Sequence, residues 1–539
     1  MHMDSAELRD LPPLVLFEDE HLLVINKPAG WNTHAPSPFA GEGVYDWLRH
    51  RERRWAALAI IHRLDKETSG VMVFAKTALA NRSLTEQFAE RIVRKRYVLV
   101  TDRPLPKSHL TVTSALVRSG ERYFSRPLQA GAEHAQTRFR VLQREGDRTF
   151  VEAEPITGRT HQIRAHASDH GFPILGDTLY GGTPGPRVCL HSAEIRLRHP
   201  ATQVMTSFTA PADFEGNAHL ALRGAMISGH ATNAYRVVHG AADGWPGWYL
   251  DRLGDFLLSQ SEQPPSPTQF KKLHDLVTTL SCQGAYHKML TRHFCSLTLE
   301  QTSPHRILGA EAPAEFVVRE NSLRFTLSFR EGPSVGLFLD QRDNRRRFLT
   351  RHVAGGFPLF GTGSGSPEVL NAFAYTCGFS VCAAKAGARV TSLDLSKKYL
   401  EWGKRNFVLN QLDPAIHDFI HADAFNWMHR LAKKKRSFDA VILDPPTFSR
   451  SKDHGIFRAE KDYGRLVAAA LSVLKSNGLL LACTNAATVK PENFVEVLKT
   501  ASNSAGRKMR QQHYAPQPPD FPINRGEPGY LKTVWLRIC

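Results

Sequence analysis

Hydrophobic positions over residues 12–211 come in short Val/Ile/Leu runs separated by turn signals. Examples are Leu14-Val15-Leu16-Phe17, Leu22-Leu23-Val24-Ile25 and Arg96-Tyr97-Val98-Leu99-Val100. The helical period surfaces there only briefly, at 79–93. The pattern predicts a sheet-rich α+β domain behind a polar tail at 1–11. Residues 212–334 are less regular. The polar stretch Ser259-Gln260-Ser261-Glu262-Gln263-Pro264-Pro265-Ser266-Pro267 reads as a loop, and the short strands on either side predict a small separate α+β module. From 335 to 539 the rhythm becomes strand–helix–strand. Strands are expected at 369–373, 390–394, 419–422, 440–444 and 478–482, and helices at 378–386, 397–409, 462–475 and 492–502. This alternation predicts a parallel sheet flanked by helices, an α/β Rossmann-like domain. The run Lys433-Lys434-Lys435-Arg436 reads as a solvated loop.

A chain of 539 residues exceeds one ordinary core and fits two to four domains. Hydrophobic residues at 42% and charged residues at 22% describe a soluble globular protein. The net charge of +17 favours polyanionic partners, nucleic acid first. No apolar run is long enough to span a bilayer, and the N-terminus lacks the apolar region of a secretory signal. The seven cysteines are odd in number and without metal-ligand spacing, which argues against a disulfide framework and a structural zinc site. Together these features suggest a cytoplasmic location. They leave the oligomeric state open.

The most informative segment is His62-Arg63-Leu64-Asp65-Lys66-Glu67-Thr68-Ser69-Gly70. Apolar runs lead in and out, so Asp65 is expected at an exposed turn between two strands. Flanking cations, Arg63 above all, favour its ionised form, and an ionised carboxylate can attack or abstract. A surface salt-bridge turn is the alternative that local chemistry leaves open.

Four further segments accompany it. They are Asn26-Lys27-Pro28-Ala29-Gly30, Arg94-Lys95-Arg96-Tyr97, the stretch from Pro155-Ile156-Thr157-Gly158-Arg159 to Ile163-Arg164-Ala165-His166, and Gly171 to Gly181. In this order and spacing, residues 12–211 resemble the RluA-type pseudouridine synthases, without the S4-type RNA-binding domain of some relatives. The resemblance implies that Asp65 is the catalytic aspartate, with Tyr97 as the active-site tyrosine. Arg164 is implied beside the base with Ile163 as its apolar neighbour, and Arg63 pairs with Asp65. The implied reaction cleaves the glycosidic bond of a uridine and rejoins the base through C5, on a nucleotide flipped from its stack. It needs neither metal nor organic cofactor.

In the second half, no dinucleotide or ATP loop follows the first strand. Acidic residues instead end successive strands, at Asp394, Asp423 and Asp444, the last leading into Pro445-Pro446-Thr447-Phe448. An acid at the second strand end suits ribose hydroxyls, and ligands bind at that sheet edge. Each aspartate could equally be a helix cap. With Gly336-Leu337-Phe338-Leu339-Asp340-Gln341-Arg342, Asn406 with Asn410, and Tyr530-Leu531-Lys532, the stretch 225–539 resembles class I S-adenosylmethionine-dependent methyltransferases. Within them it is most similar to the RlmI/RlmK group acting on large-subunit ribosomal RNA. The resemblance implies S-adenosyl-L-methionine as donor. Phe373, Tyr375, Thr376 and Gly378 would line its methionine end, with Asp394 on the ribose, Asp423 near the adenine and Asp444 facing the methyl group. Pro445 and Asn485 would position the acceptor base. Asn485 stands where the cytosine-C5 branch has its nucleophilic cysteine, which favours guanine N7, while Cys483 two residues earlier reads as a buried small hydrophobe. Two departures stand out: Ser334-Val335 replaces the family's lysine-threonine, and the PUA module of one branch is missing.

The combined expectation is a bifunctional RNA-modification enzyme, an isomerase and a transferase, that binds and processes ribosomal RNA. The other reading keeps only the first half active and uses the second as an RNA-binding or ribosome-assembly module.

Overall fold

The computed structural model describes residues 11–128, 134–290, 298–332, 334–361, 365–451, 455–523 and 529–539. The expected tail at 1–11 and Cys295 lie outside them, except for Leu11. No helix among the described residues is long and apolar enough to cross a membrane.

The first domain is built on an eleven-stranded mixed sheet. Its centre is the pair Ser69–Ala75 and Leu190–Arg198, which is parallel; the other pairings among the described residues of this sheet are antiparallel. Ser69–Ala75 is buried along its whole length, which explains why Val71-Met72-Val73-Phe74-Ala75 reads as an unbroken apolar run. The strand begins immediately after the Asp65 turn. Gly70 holds φ +118°, and a Cβ there would lie 2.2 Å from the Ser192 carbonyl oxygen. Only glycine lets these strands meet, and their meeting fixes where the turn starts.

Strands Ala234–His239, Tyr249–Leu253, Phe256–Ser261, Gly284–Met289 and His305–Gly309 form a five-stranded sheet covered by helix Pro267–Thr279. Two expectations change here. Ser259, Gln260 and Ser261 belong to strand Phe256–Ser261, because Ser259 is fully buried and accepts a hydrogen bond from Trp248 Nε1 at 2.8 Å. The loop is confined to 262–266, where Ser266 and Gln269 cap the helix reciprocally. Nor is the module separate. Leu253, Phe256, Leu258 and Tyr286 share one hydrophobic core with Phe316, Phe325 and Phe329 and with the domain that follows. Helix Ala218–Met226, which the sequence places in the linker, packs Leu222 and Met226 into the core of the first domain.

The last domain carries a seven-stranded sheet. Its strands are β1 Glu368–Ala372, β2 Arg389–Asp394, β3 Asp418–His421, β4 Phe438–Leu443, β5 Leu474–Thr484, β6 Met509–Ala515 and β7 Lys532–Ile538. The spatial order is β3-β2-β1-β4-β5-β7-β6, with β7 antiparallel to both neighbours. The strand order reverses between β1 and β4, the switch point where such sheets bind ligands. The helix expected at 462–475 runs Ala459–Leu471 instead; Lys475 lies in β5, paired with Asp439 at 2.8 Å. The basic run is not one solvated loop. Lys433 ends helix Ala424–Lys433, and Arg436 pairs with Asp418 at 2.7 Å.

Helix Arg342–Thr350 joins the parts. Arg342, Arg345, Arg346 and Arg347 are each at most 5% exposed. Arg342 pairs in fork fashion with Asp520 (2.7 and 2.8 Å), and Arg345 with Glu320 (2.6 and 2.7 Å). Arg346 pairs with Glu52, and Arg347 reaches Glu42 at 3.4 Å. Glu42 and Glu52 flank helix Val44–Arg51 of the first domain, whose Trp47 donates to Asp343 at 2.9 Å.

Gly70→Ala should destabilise the chain by roughly 3 kcal/mol or more, since the left-handed strain and the clash with Ser192 act together. Chemical denaturation of the two proteins measures it.

Candidate active sites

The first cleft opens above the parallel strand pair. It has a volume of about 870 Å³, and Arg63, Asp65, Tyr97, Ile163 and Arg164 all line it. Asp65 lies between strands Ala59–Ile60 and Ser69–Ala75, the side chain 26% exposed. Among the described residues, the basic groups within 4.0 Å of it are Arg164 Nη1 (3.8 Å) and His161 Nε2 (4.0 Å). The expected Arg63–Asp65 pair is not formed. Arg63 is exposed, and its place is taken by an arginine a hundred residues away.

Arg164 is buried in helix Gln162–Asp169 and forked onto Asp177, with Nε 2.7 Å and Nη2 2.8 Å from its carboxylate oxygens. The fork occupies those two nitrogens and leaves Nη1 towards Asp65. Burial alone would weaken the arginine's hold on its proton, but the Asp177 hydrogen bonds and charge outweigh it and raise its pKa. His161 precedes the helix in a left-handed conformation (φ +55°) and lies 2.9 Å from the Tyr180 hydroxyl. Burial lowers its pKa despite the Asp65 charge. Tyr97, in strand Arg94–Thr101, keeps its phenol proton because burial pushes its pKa up. Ile163 is 6% exposed beside Arg164.

Lys27, Asp177, Tyr180 and His161 carry much of this geometry, and reading the sequence for site residues missed them. Lys27 Nζ donates to the carbonyls of Pro28 (3.0 Å), Trp31 (2.6 Å) and Lys66 (3.2 Å). It thereby ties the turn after its own strand to the residue following Asp65. Its place at the end of an apolar strand was the available signal: a buried lysine needs a carbonyl cage.

The second site sits at the carboxyl ends of β1, β2 and β4. The loop after β1 holds Phe373 (φ +149°), Tyr375 (+48°) and Cys377 (+64°), three non-glycine residues at positive φ. Such strain persists only where surroundings over-determine it. Here Asp394 accepts from the Tyr375 amide at 2.8 Å, Asn406 Nδ2 donates to the Thr376 carbonyl at 3.0 Å, and Thr376 Oγ1 donates to the Gly336 carbonyl at 2.5 Å. Gly336 (φ +120°) has no room for a side chain, since a Cβ would lie 2.7 Å from Trp402. Gly378 begins helix Gly378–Lys385. Asp423 accepts from the amides of Phe425 and Asn426, as a helix cap does. With Phe373 and Leu395 it also lines one small cavity of about 30 Å³.

Asp444 follows β4 and accepts from Gln341 Nε2 at 3.1 Å. Burial, then the charge of nearby Asp340, pushes its pKa up to about 7. Asp340 is itself raised by burial and accepts from the Tyr530 hydroxyl at 2.9 Å. Pro445 is buried, whereas Asn485 is exposed and accepts from Thr447 Oγ1 at 2.6 Å. The structure thus gathers Asp394 with Tyr375 and Thr376, Phe373 with Asp423, and Asp444 with Asp340. Asp394 accepts from the Tyr375 amide of the loop through one oxygen and from the Ser396 amide through the other, and retains lone pairs. Leu395 beside it is 45% exposed, an apolar face left open next to a carboxylate. That donor set fits a nucleoside, with hydroxyls on the acid and a flat base on the apolar face.

Residues 21–169 match the family model described as RNA pseudouridylate synthase, and residues 235–537 the one described as S-adenosylmethionine-dependent methyltransferase. A ribosomal RNA large subunit methyltransferase of Deinococcus radiodurans is 33% identical over 323 residues, which are 59% of this chain and 76% of the relative. A ribosomal large subunit pseudouridine synthase C of Salmonella typhimurium is 38% identical over 219 residues, which are 38% of this chain and 67% of the relative. The ribosomal RNA large subunit methyltransferase I of Aeromonas salmonicida is 29% identical over 323 residues, covering 58% and 77%.

A carboxyl whose pKa is raised on folding stabilises the protein below its unfolded value of 3.8 and loses that contribution as pH rises through about 7. Asp444→Asn removes the loss. Urea titrations should show the variant gaining on the wild type by ~1 kcal/mol or more between pH 5 and pH 8.

Proposed function

Since the chain belongs both to the RNA pseudouridylate synthases and to the S-adenosylmethionine-dependent methyltransferases, we propose that both halves modify large-subunit ribosomal RNA, one isomerising a uridine and the other methylating guanine N7. The first half rests on one observation: Asp65 lies in a cleft with Arg164 at 3.8 Å and Tyr97 on its wall. In this reaction the N1–C1′ bond breaks, a C5–C1′ bond forms, C5 gives up its proton and N1 ends protonated, with no change of oxidation state. Asp65 acts as the anion at C1′. Arg164, held by Asp177, keeps that charge paired without protonating it, because a guanidinium holds its proton at any working pH. Tyr97, kept neutral by burial, offers its ring to the flipped base and adds no second negative charge.

S-adenosyl-L-methionine supplies, when bound, an electrophilic methyl group. Asp394 would hold its ribose, Asp423 and Leu395 its adenine, and the loop 373–378 its methionine end. Asp444, Pro445 and Asn485 would orient the acceptor base. Cys483 favours the guanine reading. Cytosine C5 requires a thiolate to add at C6, but Cys483 is fully buried within β5, and burial, then the Asp444 charge, raises its pKa well above the ordinary value. Guanine N7 carries its own lone pair and needs positioning alone.

Nucleoside mass spectrometry of ribosomal RNA incubated with each protein and methyl donor tests all of this. Asp65→Ala should abolish pseudouridine and leave 7-methylguanosine. Asp444→Asn should cut 7-methylguanosine at least tenfold and leave pseudouridine. Cys483→Ala should retain methylation, and 5-methylcytidine lost in that variant would overturn the guanine assignment. Wild type that yields pseudouridine but no methylated base would support an RNA-binding role for the second half.

A further inference from the structure

Glu42, His50 and His513 take no part in either site, yet they converge on the seam between the two catalytic domains. Glu42 lies just before helix Val44–Arg51, and His50 sits in its last turn. His513 projects from β6 of the last domain. His50 Nδ1 is 2.6 Å from Glu42 Oε1, and the two imidazole rings stand 4.4 Å apart at 70° to each other. One donor atom from each residue lies within 4.8 Å of the other two. His513 Nε2 is buried and has no hydrogen-bond partner among the described residues. A buried ring nitrogen left unsatisfied asks for an explanation, and an ion is one.

We infer that Glu42, His50 and His513 bind a divalent transition metal of the Zn²⁺ type, with water as fourth ligand, at the seam between the two domains. Two imidazoles and a carboxylate are a borderline-soft N/O set, which suits zinc and its neighbours and not magnesium or calcium. Tetrahedral zinc with bonds of about 2.0–2.2 Å holds its ligand atoms roughly 3.3 Å apart. The His50–Glu42 pair would open slightly, and the remaining pairs would close by no more than about 1.5 Å, within reach of side-chain rotation. Arg347 Nη2, 3.4 Å from Glu42 Oε1, would orient the ligating carboxylate from outside. The Arg347 guanidinium faces the cluster and sets an upper limit to its affinity, while burial keeps nearby His352 towards its neutral form. The ion would be structural: it would fasten a helix of the first domain to the edge strand of the last and so fix how the two clefts face one RNA.

Full-length protein stripped with chelator and titrated with Co²⁺, then Zn²⁺, tests this. The expected result is one equivalent of Co²⁺ with intense tetrahedral d–d bands, displaced by Zn²⁺. Added Zn²⁺ should also raise the melting temperature. Both signals should vanish in His513→Ala and in His50→Ala and persist in His230→Ala, which alters an exposed histidine elsewhere. No tetrahedral spectrum in the wild type would overturn the inference. So would bands that survive in His513→Ala and His50→Ala, which would mark adventitious binding at other histidines or cysteines. If one variant fails to fold, the spectrum of the other decides.

Discussion

Four arginines on one buried helix hold this molecule together. Taking a guanidinium out of water is costly, so a helix carrying Arg342, Arg345, Arg346 and Arg347 can be buried only if each finds a carboxylate in place. The partners come from everywhere else: Asp520 near the C-terminus, Glu320 after the middle sheet, and Glu42 and Glu52 from the first domain. Asp520 also accepts from the Arg236 amide of the middle sheet, while its carbonyl accepts from Arg223. Removing one partner strands a buried charge, at a cost of about 3–5 kcal/mol. The arrangement therefore selects one mutual placement of the domains, whatever its net contribution to stability.

Both candidate sites inherit their geometry from constraints of the same kind. In the first, Asp177 fixes Arg164, and Arg164 faces Asp65. In the second, Asp394 braces a strained loop, while Asp444 is raised towards neutrality by burial and Asp340. Asp65 and Asp444 thus stand in opposite electrostatic settings. One is paired with a cation and suited to anionic chemistry. The other is partly protonated near neutral pH and suited to hydrogen-bonding a base.

Much of this was legible because local pattern and tertiary role coincide. The unbroken run Val71-Met72-Val73-Phe74-Ala75 is a central strand, and helix Lys397–Leu409 has the bounds its periodicity gives. The ordered segments around Asp65, Tyr97 and Arg164 do line one cleft. What failed was choosing between equivalent partners. Arg63 stands two residues before Asp65, but it lies in irregular backbone beyond strand Ala59–Ile60 with its side chain exposed to solvent, and the true neighbour comes from helix Gln162–Asp169. Similarly, nothing local separates the buried run Arg345-Arg346-Arg347 from the partly solvated run 433–436. Only carboxylates distant in the chain distinguish them. Ser259 and Ser261 failed for the converse reason: polar residues in a strand, buried because Trp248 satisfies one and the Gln263 carbonyl the other.

The central claim is that the arginine helix makes one cooperative unit of three sequence-distinct regions. Differential scanning calorimetry of the wild type and of Arg346→Met tests it most directly. One transition for the wild type, separating in the variant into an early N-terminal and a later C-terminal transition, is the predicted result. Two well-resolved transitions in the wild type, unmoved by the substitution, would contradict it.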